Sequence, residues 1–145
     1  MTLEHYLQGL AQGAEAKHTD LVQLSGLIDE ELAMFRRSWP SIPVERRRLL
    51  MSRLVTVAED NVELDFNFIF RHGLQDTDAD VRARAVAGLW ECDDRNLVTP
   101  LMNLLKKDPS EEVRASAAAV LGKFGALSQN GKLLQEVVSR LEVLR

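Results

Sequence analysis

The sequence predicts an all-α protein built as a stack of about three helical pairs behind an N-terminal cap helix. Apolar residues recur at helical spacing along almost the whole chain, and no segment shows the sustained alternation that is typical of a strand. In addition, residues 76–90 return 32 positions later as residues 108–122. A repeat period of roughly 20 to 50 residues is typical of arrays whose units bury their apolar faces against their neighbours.

The repeated residue types have a physical explanation. Small alanine side chains let neighbouring helices approach closely, and the repeated aspartate precedes a helix N-terminus, where a carboxylate can accept hydrogen bonds from free amides. The repeated arginine follows six residues later and can pair with such a carboxylate, its own or a neighbour's. The identical pairs are Asp76/Asp108, Val81/Val113, Arg82/Arg114, Ala83/Ala115, Ala85/Ala117, Ala87/Ala119 and Leu89/Leu121.

Capping residues and prolines set the predicted helix boundaries. Thr2 is the expected cap of the first helix, and Asp29 of the second, which Pro40 ends because proline is not tolerated inside a helix. Pro43 opens the third helix from a first-turn position. Residues 13–28 form a connector with at most one turn. The predicted helices are 3–12, 29–39, 43–59, 62–74, 79–91, 97–107, 111–124 and 131–145.

The repeated motif resembles that of the HEAT-repeat family, in particular its short bacterial type, which is also seen in phycobilin-lyase-like chains. In this motif Asp is followed by Val-Arg, Ala and Leu at fixed spacing, as in Asp76, Val81-Arg82, Ala85 and Leu89. The resemblance implies a right-handed α-solenoid in which the Asp and Arg residues form a structural ladder along the inter-helix turns. The ladder residues are Asp76, Arg82, Asp108 and Arg114.

The resemblance also divides the single 145-residue domain into units. It covers residues 64–130 well, whereas the unit before them is degenerate because Trp39-Pro40-Ser41 replaces the aspartate turn and no Val-Arg pair follows. The expected segments are a cap helix and connector (1–28), a degenerate repeat (29–63), two repeats (64–96 and 97–130) and a C-terminal half-repeat (131–145).

Stacked arrays mostly present surface to partners, so we expect a non-enzymatic scaffold that binds another protein along its concave side. In HEAT-like stacks the second helix of each unit lines that side. Trp90 stands where the copy has Gly122, so it either packs at the edge of the stack or serves as an exposed anchor for a partner. The candidate binding residues at the non-core positions of the second helices are Arg48, Ser52, Arg84, Glu91, Ser116 and Lys123, and Trp90 joins them.

Two alternative functions stay open at this point. One is a chromophore-lyase-like or other enzyme-accessory role, which needs a partner that supplies or receives a tetrapyrrole. The other is nucleic-acid binding, since a HEAT-like family of DNA glycosylases grips the DNA backbone with a basic inner surface. Here the basic run Arg46–Arg48 splays over about 200° of a helix. The net charge of −4 and the pI near 5.4 also disfavour a phosphate-binding protein, so we expect no nucleic-acid partner.

No residue cluster in the sequence points to a metal, a cofactor or a catalytic site. Residues 76–80 begin like a calcium loop, but such a loop needs Gly and Glu where this chain has Val81 and Ala87. The three histidines are far apart in sequence and have no partner at ligand spacing. Cys92 aligns with Phe124 of the copy, so we expect it to fill core space.

The compartment prediction rests on the single cysteine and on two absent signals. One cysteine excludes a disulfide within one chain and is typical of a reducing compartment. The N-terminus lacks the basic start and apolar core of a secretory signal, and no apolar run is long enough to cross a bilayer. We therefore expect a cytoplasmic protein without a membrane partner.

The last predicted helix carries more apolar surface than one preceding pair can bury. A terminal unit of an open stack has no outer neighbour, so its exposed side must be polar or covered. We expect this edge to be covered by a second copy of the chain, by a neighbouring molecule or by residues that follow Arg145. Its apolar residues are Leu133, Leu134, Val137, Val138, Leu141, Val143 and Leu144.

Overall fold

The computed structural model describes residues 2–14 and 17–127, and within these residues the chain is helical without a strand. The C-terminal half-repeat and its apolar edge lie outside the described residues. The described α-helices are α1 (Leu3–Ala11), α2 (Asp29–Ser38), α3 (Val44–Asp60), α4 (Asn67–Gly73), α5 (Ala79–Gly88), α6 (Val98–Lys107) and α7 (Glu111–Leu127). Short 3₁₀ segments cover His18–Leu24, Trp39–Ser41 and Arg95–Leu97.

The helices form two layers, as expected for an α-solenoid. Helix α4 packs on α5 and α6 packs on α7, whereas α5 also contacts α3 and α7. The second helices α3, α5 and α7 therefore form one continuous layer, which we call the second-helix layer. The all-α stack predicted from the repeat is confirmed.

The repeated small and apolar residues explain the close packing of this layer. Val81, Ala85 and Leu89 are fully buried, and so are their counterparts in α7. A Cβ atom added at Gly73 would lie 2.7 Å from the Cβ of Ala85, and one added at Gly88 would lie 2.5 Å from the Phe70 ring. Helix α4 therefore approaches α5 at a distance that these glycines make possible.

The N-terminal region is more regular than the sequence prediction. Thr2 caps α1 as expected, because its Oγ1 accepts a hydrogen bond from the His5 amide at 3.2 Å. The predicted connector, however, contains the seven-residue 3₁₀ segment His18–Leu24. Leu21 and Leu24, three residues apart, are both fully buried. Three residues per turn is the 3₁₀ period, so this spacing places both leucines on one face.

The prediction that Asp29 caps α2 is wrong. The N-cap is Ile28, whose carbonyl accepts hydrogen bonds from the amides of Glu31 and Leu32, and no side chain caps this helix. Asp29 is the first helical residue, with φ of 50°, in the left-handed region that aspartate tolerates better than most residues. Its carboxylate still lies at the favourable end of the helix dipole.

Helix α4 begins five residues later than predicted because side chains hold the preceding turn. The Asn61 side chain accepts a hydrogen bond from the Glu63 amide at 3.0 Å, and the Asp65 carboxylate accepts one from the Asn67 amide at 2.9 Å. The Asp65 amide donates to the Ser25 hydroxyl at 2.8 Å. Such side-chain bonds give the backbone an alternative to the helix, so residues 62–66 form a loop.

Helix α5 ends earlier than predicted, at Gly88. The amide of Leu89 donates to the Val86 carbonyl and that of Trp90 to the Ala87 carbonyl, so the chain leaves the helix in tight turns. Trp90 and Glu91, which the sequence predicted on the helix, therefore lie in the turn that follows it.

Candidate functional site

The N-terminal end of the second-helix layer is held by a buried ion pair between successive turns. Arg82 Nε lies 2.8 Å from Asp108 Oδ2, and Arg82 Nη2 lies 3.0 Å from Asp108 Oδ1. The Arg82 and Asp108 side chains are only 12% and 3% exposed. Asp108 also accepts a hydrogen bond from the Ser110 amide at 2.9 Å. This bidentate pair joins the first turn of α5 to the turn before α7.

The repeated arginines also bind carbonyl groups of their own units. Arg82 Nη1 donates to the Asp76 carbonyl oxygen at 2.9 Å, and Arg114 Nη1 donates to the Asp108 carbonyl oxygen at 2.7 Å. The sequence left open whether the partner of each arginine is its own aspartate or a neighbour's. Arg82 contacts both, through its own unit's carbonyl and the next unit's carboxylate.

Asp76 has partners in the degenerate unit that the sequence analysis did not identify. Trp39 Nε1 donates to Asp76 Oδ1 at 2.8 Å, and Arg47 Nη1 lies 3.3 Å from the same oxygen. Arg47 thus reaches Asp76 as Arg82 reaches Asp108. A signal was present, since Arg47 follows Ser41 by six residues, the spacing that separates Arg82 from Asp76.

A second row of charges lies beside the ladder and includes two predicted binding residues. Arg48 donates to both carboxylate oxygens of Asp78, at 2.9 and 2.6 Å, and lies 3.7 Å from Asp80. Arg84 donates to Asp80 at 3.0 Å and to the Arg48 carbonyl at 3.4 Å. The hydrogen bond from Arg48 lowers the pKa of Asp78 to about 2 and raises the pKa of Arg48. Both arginines are therefore in ion pairs at the N-terminal end of the layer.

At the opposite end, an open cavity of about 950 Å³ crosses α3, α5 and α7. Its walls come from the C-terminal halves of α3 and α5, from the turn after α5, from the middle of α7, and from α4 and the loop before it. The large apolar side chains that line it include Val55, Val62, Phe66, Phe70, Trp90 and Val120.

Trp90 is the most prominent side chain of this cavity. It is 47% exposed, and Lys123 Nζ lies 6.0 Å from its ring centroid. The Lys123 ammonium also donates to the Trp90 carbonyl, so the lysine contacts Trp90 from the α7 side. Val62, on the loop before α4, is 92% exposed. Two large apolar side chains at the cavity are thus open to solvent.

The charge at this end is acidic. Among the described lining residues, Glu59, Asp65 and Glu91 are the charged ones, and no basic residue is among them. The last turns of α3 and α5 also contain no basic residue. A helix C-terminus carries partial negative charge, so acids there are unfavourable for the helix.

The structure separates the predicted binding residues into two groups. Trp90, Glu91 and Ser116 line the cavity, with Lys123 beside them on the Trp90 ring. The remaining three lie toward the other end of the same helices and do not line the cavity. These are Arg48, Ser52 and Arg84, of which Ser52 is half-buried in α3.

Of the three acidic residues that line the cavity, Glu91 was predicted from the sequence, whereas Glu59 and Asp65 were not. Residues 59–65 contain four acids and no base, which was a readable signal. That Glu91 lies at the same cavity as Glu59 and Asp65 could not be read from the sequence, because only the packing of α3 against α5 brings these side chains together.

The described residues were also compared with the features of a metal site, a reactive cysteine and a membrane span. Within residues 2–14 and 17–127, no group of three or more His, Cys, Asp or Glu residues could hold a metal ion. Cys92 is buried and borders the cavity. No helix among these residues is sufficiently long and apolar to span a membrane.

Comparison with known proteins found one match. A family model described as HEAT repeats matches residues 70–142, just over half of the chain, and this range includes both copies of the Asp/Arg motif. Searches of curated proteins and of solved structures found no match. Repeats of the matching family are commonly protein-interaction scaffolds and are typically not enzymes.

Proposed function

Because the chain belongs to the HEAT-repeat family, we propose that it is a non-enzymatic scaffold that binds another protein with its second-helix layer. The observation that carries this proposal is the open cavity across α3, α5 and α7, with Trp90 half-exposed at its wall. The proposed binding site consists of this cavity and its rim. The short bacterial, phycobilin-lyase-like subtype stays a prediction from the sequence.

The chemistry of the cavity supports a protein partner. Binding hot spots are enriched in Trp and lie in pockets that the partner closes to water. Trp90 offers a large ring that turns about only two side-chain torsions, so little conformational freedom is lost when a partner covers it. Val62, almost fully exposed beside it, adds apolar area that a partner would bury.

We further propose that the Asp–Arg ladder is the rigid frame of this scaffold. The buried pair of Arg82 and Asp108 and the contacts of Trp39 and Arg47 with Asp76 support this role. With the unit boundaries 29–63, 64–96 and 97–130, each unit contributes one helix to the binding layer and one turn to the ladder.

The test compares two exposed aromatic residues. The partner is isolated by co-purification from native lysate and mass spectrometry, and its affinity is then measured with purified variants. We expect Trp90→Ala to weaken binding by about tenfold or more, the usual loss at a hot spot, with an unchanged melting temperature. Phe68→Ala is the control, since Phe68 is 44% exposed on α4 and does not line the cavity. Equal effects of the two variants would contradict the proposed site.

An enzyme-accessory role in tetrapyrrole handling is the second candidate, and the size of the cavity favours it. A volume of about 950 Å³ lies within the range of small-molecule sites. The acidic lining disfavours this candidate, because tetrapyrroles of this class carry carboxylate groups, which the carboxylates of the cavity would repel. An absorption spectrum of the chain purified from its native source would show a visible chromophore band if this candidate were right.

The remaining sequence-based expectations stay proposals with simple measurements. We expect no DNA or RNA binding tighter than roughly 100 µM at physiological salt, since Arg47, Arg48 and Arg84 are in ion pairs. Self-association through the edge formed by residues 131–145 is testable by sedimentation of the parent chain and Val143→Glu. A cytoplasmic location is also proposed from the sequence.

A further inference from the structure

The cavity end of the second-helix layer carries charges that its helices alone do not favour. Glu59 and Asp60 lie in the last turn of α3, and Glu91 follows the end of α5. The partial negative charge of a helix C-terminus repels carboxylates and attracts cations. Where a natural protein breaks such a local rule without an evident structural gain, the site is a candidate for function.

The apolar and the acidic side chains line the same cavity, which we call the groove. The described part of its lining combines aromatic and aliphatic side chains with the carboxylates of Glu59, Asp65 and Glu91, and Lys123 beside it donates to the Trp90 carbonyl, so the acids outnumber this base. The groove therefore offers burial to apolar groups and electrostatic attraction to cations at the same time.

We propose that the partner segment that occupies this groove is a cationic amphipathic peptide of another protein. Its apolar side chains cover Trp90 and Val62, and its Lys or Arg side chains pair with Glu59, Asp65 and Glu91. This inference rests on the proposed function, because it specifies the chemistry of the partner at the same site.

Charge complementarity selects this occupant over the others. An acidic peptide, a phosphate or a tetrapyrrole carboxylate would bring like charges together in a partly desolvated groove, which costs affinity. A second copy of the chain is a poor match, since its net charge is −4 and its arginines at positions 47, 48, 82 and 84 are in ion pairs. A cationic segment instead relieves the repulsion between the acids and the helix ends.

The test uses a phage-displayed library of random peptides selected on the full chain. We expect the enriched peptides to combine Lys or Arg with aromatic or aliphatic residues. Synthetic copies should bind about tenfold or more weakly to Trp90→Ala, and also to the triple variant Glu59→Gln, Asp65→Asn and Glu91→Gln. Binding to the parent chain should weaken as salt is added, because salt screens exposed charges. Asp65→Asn keeps the oxygen that accepts from the Asn67 amide, so the loop should stay folded.

The control variant carries the same change in net charge at other places. Gln8→Lys, Gln75→Lys and Asn103→Lys together add three positive charges, as the triple variant removes three negative ones, at exposed positions that do not line the cavity. Melting curves establish that all variants are folded. This control should bind the cationic peptides like the parent chain, and an equal loss in the control would mean that overall charge, not the groove, attracts them.

The outcomes separate the inference from the proposed function. Neutral or acidic peptides that need Trp90 but ignore the triple variant would overturn the inference and leave the protein-binding groove in place. Peptides that bind equally to Trp90→Ala would overturn both. Absence of any enriched peptide would overturn the inference, while the native partner would still test the groove through Trp90→Ala and Phe68→Ala.

Discussion

The two ends of the second-helix layer use the same side-chain chemistry in opposite ways. At the N-terminal end, Asp78 and Asp108 accept hydrogen bonds from backbone amides and pair with Arg48 and Arg82. At the C-terminal end, Glu59, Asp65 and Glu91 line the cavity without a base among the described lining residues, and Lys123 beside them donates to the Trp90 carbonyl. The helix dipole favours the first arrangement and opposes Glu59 and Glu91 in the second, whereas Asp65 lies before the N-terminus of α4, where the dipole favours an acid.

This difference separates stability from binding. A carboxylate that is buried, paired and aligned with the dipole contributes to folding, and its removal leaves the partner arginine uncompensated. A carboxylate that is exposed and opposed to the dipole contributes little to folding and stays free to bind a ligand. We infer that the N-terminal end holds the stack together and that the C-terminal end binds the partner.

The largest expected effect comes from breaking the buried pair at the N-terminal end. Asp108→Ala removes the two carboxylate oxygens that accept from Arg82 and the acceptor of the Ser110 amide, in a site where the Asp108 side chain is 3% exposed. We expect the free energy of unfolding to fall by about 3–5 kcal/mol, the usual cost of removing one partner of a buried ion pair. Urea unfolding at neutral pH measures it.

Asp80→Ala is the matched control, because Asp80 also binds an arginine but its side chain is 34% exposed. Exposed pairs contribute about 0–1 kcal/mol, so this variant should stay close to the parent chain. A similar loss in both variants would contradict the view that burial gives the ladder its importance.

The next effect is smaller and depends on pH. The hydrogen bond from Arg48 lowers the pKa of Asp78 to about 2, below its ordinary value of 3.8. A carboxyl with a lowered folded-state pKa contributes stability at pH values above 3.8, and this contribution is lost as the pH falls toward 2. Because the Arg48 side chain is 42% exposed, solvent screening limits the contribution to about 1 kcal/mol or less.

Arg48→Met tests this explanation. We expect the pKa of Asp78, followed by NMR titration of its carboxyl carbon, to rise in this variant, and the acid-dependent loss of stability below pH 4 to become shallower. Some acid dependence should persist, because the Asn96 amide and Arg71 also lower the pKa of Asp94. An Asp78 that titrates near 3.8 in the parent chain would contradict the assignment.

At the N-terminal end of the layer, the sequence predicted the repeated ladder residues but not their counterpart in the degenerate unit. Arg82 and Asp108 were predicted together because their spacing repeats along the chain, and the structure brings them into contact. Arg47 was missed because the run Arg46–Arg48 was considered only as a possible basic patch, although Arg47 points into the ladder.

The C-terminal end could be predicted only in part. Trp90 was identified because it breaks the repeat, but its 47% exposure depends on where α5 ends. That helix end is set by local turns, as is the start of α4, where the Asn61 and Asp65 side chains bind nearby amides. Such short-range hydrogen bonds are alternatives to helix hydrogen bonds and differ little from them in free energy. Apolar periodicity alone therefore does not predict where a helix begins or ends.

The smallest expected effect tests directly whether an acid at the cavity lowers the free energy of unfolding. Glu59→Lys replaces an unfavourable charge in the last turn of α3 with a favourable one, so we expect the free energy of unfolding to rise by about 0.3–1 kcal/mol at low salt. Glu112→Lys makes the same substitution in the first turn of α7, where the dipole favours the acid, and should lower stability by a similar amount. Both residues are exposed, so packing should contribute little to either change. Urea unfolding of the two variants, repeated at high salt, where both effects should shrink, measures the contrast. If Glu59→Lys destabilised the chain as Glu112→Lys does, Glu59 would have a structural role and would no longer support a groove that gives up stability for binding.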